Sequence, residues 1–252
     1  MPSSQNPIQT DIQTLLSPIA KYKLRSHQTS LNSHIPLLQS PTSPSPSIIL
    51  LGDSTLERLI TTCDSPSYDP WPSPTLLTDL QSRLSGVLNL GVGGDKIQNI
   101  GYRLLGDPAR DLPGLLEIIS QKDNVKLWVV HAGTNNLSPK NGLVDEDVDA
   151  LEVIVRVLLM FGKESRVIVS GIMYRMDVED GKVDEANEKL EEMVKRLNEG
   201  KLGDGRVKWL SPPRRVRKEE HLVDHVHLNL EGYRVWVGEV LFPGVLRLLE
   251  ED

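Results

Sequence analysis

Apolar residues follow two different spacings along this chain, and the spacings predict which segments are strands and which are helices. Short apolar runs bounded by turn residues indicate buried strands, whereas apolar positions recurring every three or four residues indicate amphipathic helices. By this pattern strands are predicted at 48–51, 86–90, 125–130, 166–170 and 206–210. Helices are predicted near 54–62, 75–84, 96–105, 113–121, 145–161, 183–199 and 229–249. Because strands that alternate with helices form a parallel sheet covered on both faces, we predict one doubly wound α/β domain with a five-stranded sheet.

The first 46 residues lie outside this alternating pattern. They end in a Ser/Pro-rich run over 39–47, which cannot form a helix and is typical of a linker. The segment 8–19 has the spacing of a short amphipathic helix, and the apolar segment 35–38 could dock on the rest of the chain. We predict an N-terminal appendage over 1–46, with partial disorder as one alternative, and a folded domain over 47–252.

Composition and charge narrow the function classes. The formal net charge of −7 argues against a nucleic-acid-binding surface, and the single cysteine, Cys63, excludes an intrachain disulfide and a cysteine metal cluster. No apolar run approaches the roughly twenty residues that a membrane helix requires, and the N-terminus lacks the pattern of a secretory signal. We expect a cytoplasmic protein without stable membrane insertion. A transit peptide over the Ser/Thr-rich residues 1–35 is the alternative.

Three of the predicted strands end in turns made of glycine and polar residues. The turns are Gly52-Asp53-Ser54, Gly91-Val92-Gly93-Gly94-Asp95 and Gly133-Thr134-Asn135-Asn136. Parallel strands bring such turns to one edge of the sheet. Ser54, at the start of a predicted helix, is either an N-cap or a nucleophile. The N–H groups of Ser54 and Gly94 and the side chain of Asn135 could then receive an oxyanion, although plain tight turns explain the same residues.

A base for such a serine stands just before the last predicted helix, in Asp224-His225-Val226-His227. The three-residue spacing can place the Asp224 carboxylate beside the His227 imidazole and so orient the ring. The same cluster, together with His221, has the ligand types of a zinc site. The basic run 214–218 is either a solvated face or a contact for an anionic substrate.

In order and spacing, these four blocks resemble the SGNH (GDSL-type) hydrolase superfamily over about residues 48–245. Within the superfamily, the segments 89–95 and 133–136 are most similar to the branch that contains the α-subunits of intracellular platelet-activating-factor acetylhydrolase. The resemblance implies a flavodoxin-like three-layer α/β/α fold and ester hydrolysis that uses no cofactor and no metal.

The resemblance also implies a role for each candidate residue. Ser54 is the nucleophile, His227 the general base and then acid, and Asp224 its orienting partner. The oxyanion donors are the N–H groups of Ser54 and Gly94 and the side chain of Asn135. The implied activity is that of a serine esterase acting on a small-molecule ester with a short acyl group. An acyltransferase that uses the same serine and a catalytically silent binding or scaffold protein are the alternatives.

Two features depart from the pattern of the superfamily. His225 stands where the family often has glycine, so it could crowd or tune the base. The Pro-rich loop 63–74 and the basic segment 214–218 have no counterpart that can be placed, so substrate preference does not carry over. Substrate-binding residues and the oligomeric state, with a homodimer among the alternatives, are left open.

Overall fold

Five parallel strands build the sheet that the sequence pattern predicts. The computed structural model describes residues 7–40, 45–59, 84, 86–122, 124–162 and 164–250. Within these residues the strand order is β2-β1-β3-β4-β5, and every neighbouring pair is parallel. The strands are β1 Ile48–Gly52, β2 Val87–Gly91, β3 Leu127–His131, β4 Arg166–Ser170 and β5 Val207–Leu210. This order is the flavodoxin-like one, and the predicted fold class is confirmed.

Helices cover both faces of the sheet and connect successive strands. They are α1 Pro7–Leu16, α2 Leu24–Thr29, α3 Ile35–Gln39, α4 Ser54–Glu57, α5 Ile97–Leu105, α6 Leu115–Ile119, α7 Asp145–Phe161, α8 Asp180–Glu199, α9 Lys218–His221, α10 Leu230–Val235 and α11 Phe242–Glu250. The short helix α9 was not predicted. The predicted loop 63–74, Cys63 and nearly all of the predicted helix 75–84 lie outside the described residues.

The alternation of side chains along β1 explains why the sheet has a core on each face. Ile49 and Leu51 belong to one buried cluster, whereas Ile48 and Leu50 belong to the other. Helices α1, α3 and α5–α8 supply the first cluster, and α4, α10 and α11 supply the second. Because the strand is buried on both faces, it reads as a continuous apolar run rather than as an alternating one.

The last predicted helix, 229–249, is interrupted in the structure. The π-helical segment Trp236–Leu241 separates α10 from α11. Pro243 stands at the second position of α11 and has no N–H, so the carbonyl four residues earlier loses its helical partner. The π-helical segment Ser30–His34 likewise precedes a helix with proline at its second position, Pro36. In both places the wider turn leads into a proline that a regular helix accommodates poorly.

The N-terminal segment is helical and packs against the helices on one face of the sheet. Leu16 in α1 is fully buried, and Ile35 and Leu38 in α3 are nearly so. All three join the buried cluster that contains α5–α7. The helix predicted over 8–19 and the docking predicted for 35–38 both have counterparts here. The division of the chain into 1–46 and 47–252 stays a prediction.

Gly52 sets how closely the end of β1 approaches β3. A Cβ atom at this position would lie 2.1 Å from the backbone carbonyl oxygen of His131 and 2.9 Å from a side-chain carbon of Leu56. The strand cannot move away from this oxygen without breaking the pairing of Gly52 with His131. Glycine therefore allows the chain to leave the sheet and start α4 at Ser54 without a clash.

We predict that Gly52→Ala destabilises the protein by about 1–3 kcal/mol or more, because the added methyl group overpacks a site bounded by backbone. The matched control is Gly181→Ala in α8, where an added Cβ meets nothing within 4 Å. The control should change stability by no more than about 1 kcal/mol. Urea denaturation of both variants measures the difference, and equal midpoints would contradict the prediction.

Candidate active site

The turn after β1 presents the hydroxyl of Ser54 at the start of α4. Asp53 is the N-cap of this helix, and its carboxylate accepts a hydrogen bond from the backbone N–H of Thr55 at 2.9 Å. Because Asp53 performs the capping, Ser54 is not the N-cap and its hydroxyl is available for other contacts. Ser54 retains 8 % exposure.

A line of hydrogen bonds joins Ser54 to His227 and Asp224. The Oγ atom of Ser54 lies 3.0 Å from Nε2 of His227, and Nδ1 of the same ring lies 2.7 Å from Oδ2 of Asp224. The other carboxylate oxygen accepts the backbone N–H groups of Val226 and His227, at 2.9 and 2.8 Å. The sequence-predicted nucleophile, base and orienting acid therefore lie together in the order that serine catalysis requires.

Three contacts fix the loop that carries Asp224 and His227. The loop closes on itself, since Leu222 forms an antiparallel bridge with Leu228 and Val223 donates its N–H to the carbonyl of His227 at 2.8 Å. Helix α10, which follows the loop, is tied to the nucleophile turn by Tyr233, whose hydroxyl donates to the carbonyl of Thr55 at 2.9 Å. The base is thus positioned against the serine from two directions.

Burial and charge keep the carboxylate ionised and the imidazole neutral. Burial raises the pKa of Asp224, but hydrogen bonds from His227 and Val226 outweigh it and hold the pKa at about 2. Burial lowers the pKa of His227; the bond to Asp224 opposes this shift, and the nearby positive charge of Arg58 adds to it. Near neutral pH the ring can therefore accept a proton from Ser54.

Arg58 was not singled out from the sequence. It is nearly buried at the end of α4, and its Nη2 atom lies 3.9 Å from Oδ2 of Asp224. Its position four residues after Ser54, one helical turn further along, is the only sequence signal that could have indicated it.

Asn135 joins the third turn to the second turn, which carries Gly94. Gly94 has a φ of +73°, in the left-handed region that favours glycine. The side-chain amide of Asn135 donates a hydrogen bond to the carbonyl of Asp95 at 2.9 Å, which ties the third turn to the second. Among the hydrogen bonds of the described residues, none is donated by the backbone N–H of Ser54 or Gly94. Within the described part of the chain these two N–H groups therefore have no hydrogen-bond partner and can bind a ligand atom.

A buried ion pair holds the second turn in place. The carboxylate of Asp95 is fully buried and accepts from Nε of Arg103 at 2.8 Å. Arg103 also donates to the carbonyl of Leu90 at 2.9 Å. The second oxygen of Asp95 accepts from the hydroxyl of Ser26 at 2.5 Å. Ser26 belongs to the N-terminal segment and was missed in the sequence, because nothing local relates it to a turn 69 residues away.

The two asparagines of the third turn have different surroundings. The side chain of Asn136 accepts from the N–H of Ile97 at 3.0 Å and donates to Asp147 at 2.6 Å, so it links α5 to α7. Asn135 points instead at the second turn. Asn136 therefore links two helices, whereas Asn135, the residue that the sequence analysis chose as an oxyanion donor, lies against the second turn.

The remaining polar candidates lie outside this arrangement. The ring of His221 contacts the backbone of Arg217, at 3.1 Å, and the exposed His225 accepts the N–H of Met176 through its carbonyl at 2.8 Å. Within the described part of the chain, no three His, Cys, Asp or Glu side chains are grouped closely enough to hold a metal ion. The basic segment 214–218 forms surface ion pairs with acidic residues, which are Arg215–Glu239, Arg217–Glu220 and Lys218–Asp180.

Comparison with known proteins places this chain among ester hydrolases. The model of the GDSL-like lipase/acylhydrolase family matches residues 50–235. Platelet-activating factor acetylhydrolase IB subunit alpha1 of Rattus norvegicus is 28% identical over 213 residues, which cover 82% of this chain and 78% of that protein.

Solved structures share the fold at low sequence identity. A family two carbohydrate esterase from Clostridium thermocellum superimposes with a TM-score of 0.62 at 14% identity, over 83% of this chain and 66% of that one. A GDSL-like lipase from Bacteroides thetaiotaomicron superimposes with a TM-score of 0.59 at 14% identity, over 88% of this chain and 98% of that one.

Among the described helices, none is both long and apolar enough to span a bilayer.

The family match spans the three glycine-rich turns and the loop with Asp224 and His227. The chain therefore belongs to the GDSL-like lipase/acylhydrolase family of the SGNH hydrolase superfamily, and it is a carboxylic ester hydrolase.

Proposed function

We propose that this enzyme hydrolyses small-molecule esters with a short acyl group through an acyl-enzyme formed on Ser54. The observation that carries the proposal is the continuous line of hydrogen bonds from Ser54 through His227 to Asp224, at 3.0 and 2.7 Å. The short acyl group is supported by the acetylhydrolase that is 28% identical to this chain.

In the first half of the reaction, Ser54 Oγ attacks the ester carbonyl while Nε2 of His227 takes its proton. The resulting imidazolium is stabilised by Asp224, which stays ionised throughout. When the tetrahedral intermediate collapses, the bond to the alcohol breaks and His227 gives its proton to the leaving oxygen. Water then attacks the acyl-serine, with His227 again as base, and the carboxylic acid is released with Ser54 restored.

The oxyanion of each tetrahedral intermediate binds to three donors in this proposal. They are the backbone N–H groups of Ser54 and Gly94 and the side-chain amide of Asn135. Each belongs to a different turn at the carboxyl edge of the sheet, and each turn is held by buried contacts. Because the donors are fixed before the reaction, they stabilise the developing charge without reorganisation.

We predict that Ser54→Ala abolishes hydrolysis of p-nitrophenyl acetate, butyrate and octanoate, since no other group on the line can form the acyl-enzyme. Ser170→Ala is the matched control, because Ser170 is also a buried serine at the carboxyl end of a strand. The control should retain activity, and wild-type activity should be indifferent to EDTA. Rates that fall from acetate to octanoate would agree with a short acyl group, and turnover by folded Ser54→Ala would refute the mechanism.

We predict that Asn135→Ala lowers kcat by about 10²–10³, the usual effect of removing one oxyanion donor. The KM should change little, because the amide acts on charge that develops only in the transition state. Steady-state kinetics with p-nitrophenyl acetate measures both constants, and the thermal unfolding midpoint reports any loss from the contact with Asp95. Wild-type kcat in this variant would remove Asn135 from the site.

We predict that kcat/KM rises with pH as His227 loses its proton, with a midpoint below the ordinary histidine pKa, because burial and Arg58 both lower this pKa. Arg58→Gln removes the positive charge that lowers the pKa of His227, so the rise of kcat/KM should move to higher pH. Arg156→Gln removes an arginine that pairs with Glu152 on α7 and should leave the profile unchanged. A rise that stays in place or moves to lower pH in Arg58→Gln would contradict this assignment.

A further inference from the structure

The N-terminal segment brings a lysine to the turn that carries Gly94. We propose that Lys23 is a positioning residue that strengthens the oxyanion hole, by hydrogen bonding to the carbonyl oxygens of the peptide groups on either side of Gly94. The inference rests on the proposed function, since it assigns Lys23 a role through the Gly94 N–H. It concerns a residue that lies outside the span 50–235 matched by the family.

The contacts of Lys23 are directed at backbone carbonyls of the second turn. Its Nζ atom donates to the carbonyl of Gly94 and lies 3.4 Å from the carbonyl oxygen of Gly93. A Cβ atom on Gly94 would lie 2.8 Å from this Nζ. The ammonium group thus occupies the side of the turn on which any other residue would carry its side chain.

The carbonyl of Gly93 and the N–H of Gly94 belong to the same peptide group. A cation at the carbonyl oxygen withdraws electron density from the group and makes its N–H a stronger donor. The Lys23 side chain is 32% exposed, so solvent screens this charge only in part. Because the oxyanion exists only in the transition state and the intermediates, we expect the benefit in kcat rather than in KM.

A role as a structural partner of Asp95 does not explain the position of Lys23. Asp95 already accepts from Arg103 at 2.8 Å and from Ser26 at 2.5 Å, whereas Nζ of Lys23 is 4.0 Å away. The carboxylate is therefore satisfied without the lysine. What the lysine adds is charge at the carbonyls of the turn.

Several contacts hold the segment around Lys23 in place. The backbone N–H of Lys21 donates to the carbonyl of Gln98 at 3.0 Å. The backbone carbonyl of Lys21 accepts from the side-chain amide of Asn99 at 2.9 Å. Arg25 forms an ion pair with Glu57 of α4 at 2.9 Å. The chain is thus tied to α5 through the backbone before Lys23 and to α4 through the side chain of Arg25 after it.

The charge on Lys23 should be lost within the alkaline range. Burial lowers the pKa of Lys23, Asp95 and Glu57 oppose that shift, and Arg25 and Lys96 add to it. Because the ammonium form is the active one here, kcat should fall as pH rises through the lowered pKa. Arginine keeps its charge at any pH at which the protein is assayed.

The test compares Lys23→Met, Lys23→Arg and the control Lys21→Met in the full-length protein, with p-nitrophenyl acetate as substrate. Lys21 is exposed and lies on the same segment, so its loss matches the charge change without touching the second turn. We expect Lys23→Met to lower kcat about tenfold, less than the loss of a whole donor, with KM within about twofold of wild type. Lys21→Met should match wild type, and Lys23→Arg should retain most of kcat and lose the alkaline decline.

Several results would overturn the inference. The first is a kcat for Lys23→Met equal to that of Lys21→Met. The second is a rise in the KM of Lys23→Met with its kcat unchanged. The third is an alkaline decline of kcat that is the same in Lys23→Arg as in wild type. The last comparison decides the matter even if Lys23→Met does not fold. A folded wild type without turnover would overturn the proposed function itself and this inference with it, whereas an active wild type indifferent to Lys23 would overturn this inference alone.

Discussion

The hydrogen bond between Ser54 and His227 joins two segments that are 173 residues apart in the chain, and the arrangement of the site depends on it. Neither residue could hold the 3.0 Å separation alone. Gly52 lets β1 approach β3 closely enough for α4 to start at Ser54. Tyr233 ties α10, the helix that follows the His227 loop, to the turn after β1. These buried contacts therefore hold a serine against an imidazole at the carboxyl edge of the sheet.

Charge at this edge is distributed in a way that suits proton transfer. The low pKa of Asp224 keeps its carboxylate ionised, and burial lowers the pKa of His227 and so favours the neutral ring, which in our proposal takes the proton of Ser54. Arg58 keeps the pKa of that ring low, and in our proposal Lys23 places a second positive charge beside the oxyanion turn. In this proposal two cations act on one reaction, Arg58 through the base and Lys23 through the donor that receives the developing charge.

Much of this could be predicted from the sequence, because the relevant signals are local. The strands and most helices follow from apolar spacing, and the blocks around Ser54, Gly94, Asn135 and His227 follow from short motifs. The contacts that were missed are those without a local signal. The pairing of Ser26 with Asp95 spans 69 residues. The break in the last helix is a different case, since Pro243 is a local signal that apolar spacing over 229–249 alone does not show. The N-terminal segment carries no motif, and its contribution is visible only once its helices are packed.

The most direct test of the account is a rapid-mixing experiment that looks for the acyl-enzyme. Wild-type protein is mixed with p-nitrophenyl acetate, quenched in acid within the first turnover, and digested for mass spectrometry. An acyl-enzyme mechanism predicts an acetyl group on the peptide that contains Ser54 and, where deacylation is the slower half-reaction, a burst of p-nitrophenol equal to the enzyme concentration. A burst with no acetylated Ser54, or acetyl on another residue that disappears at the rate of turnover, would contradict it.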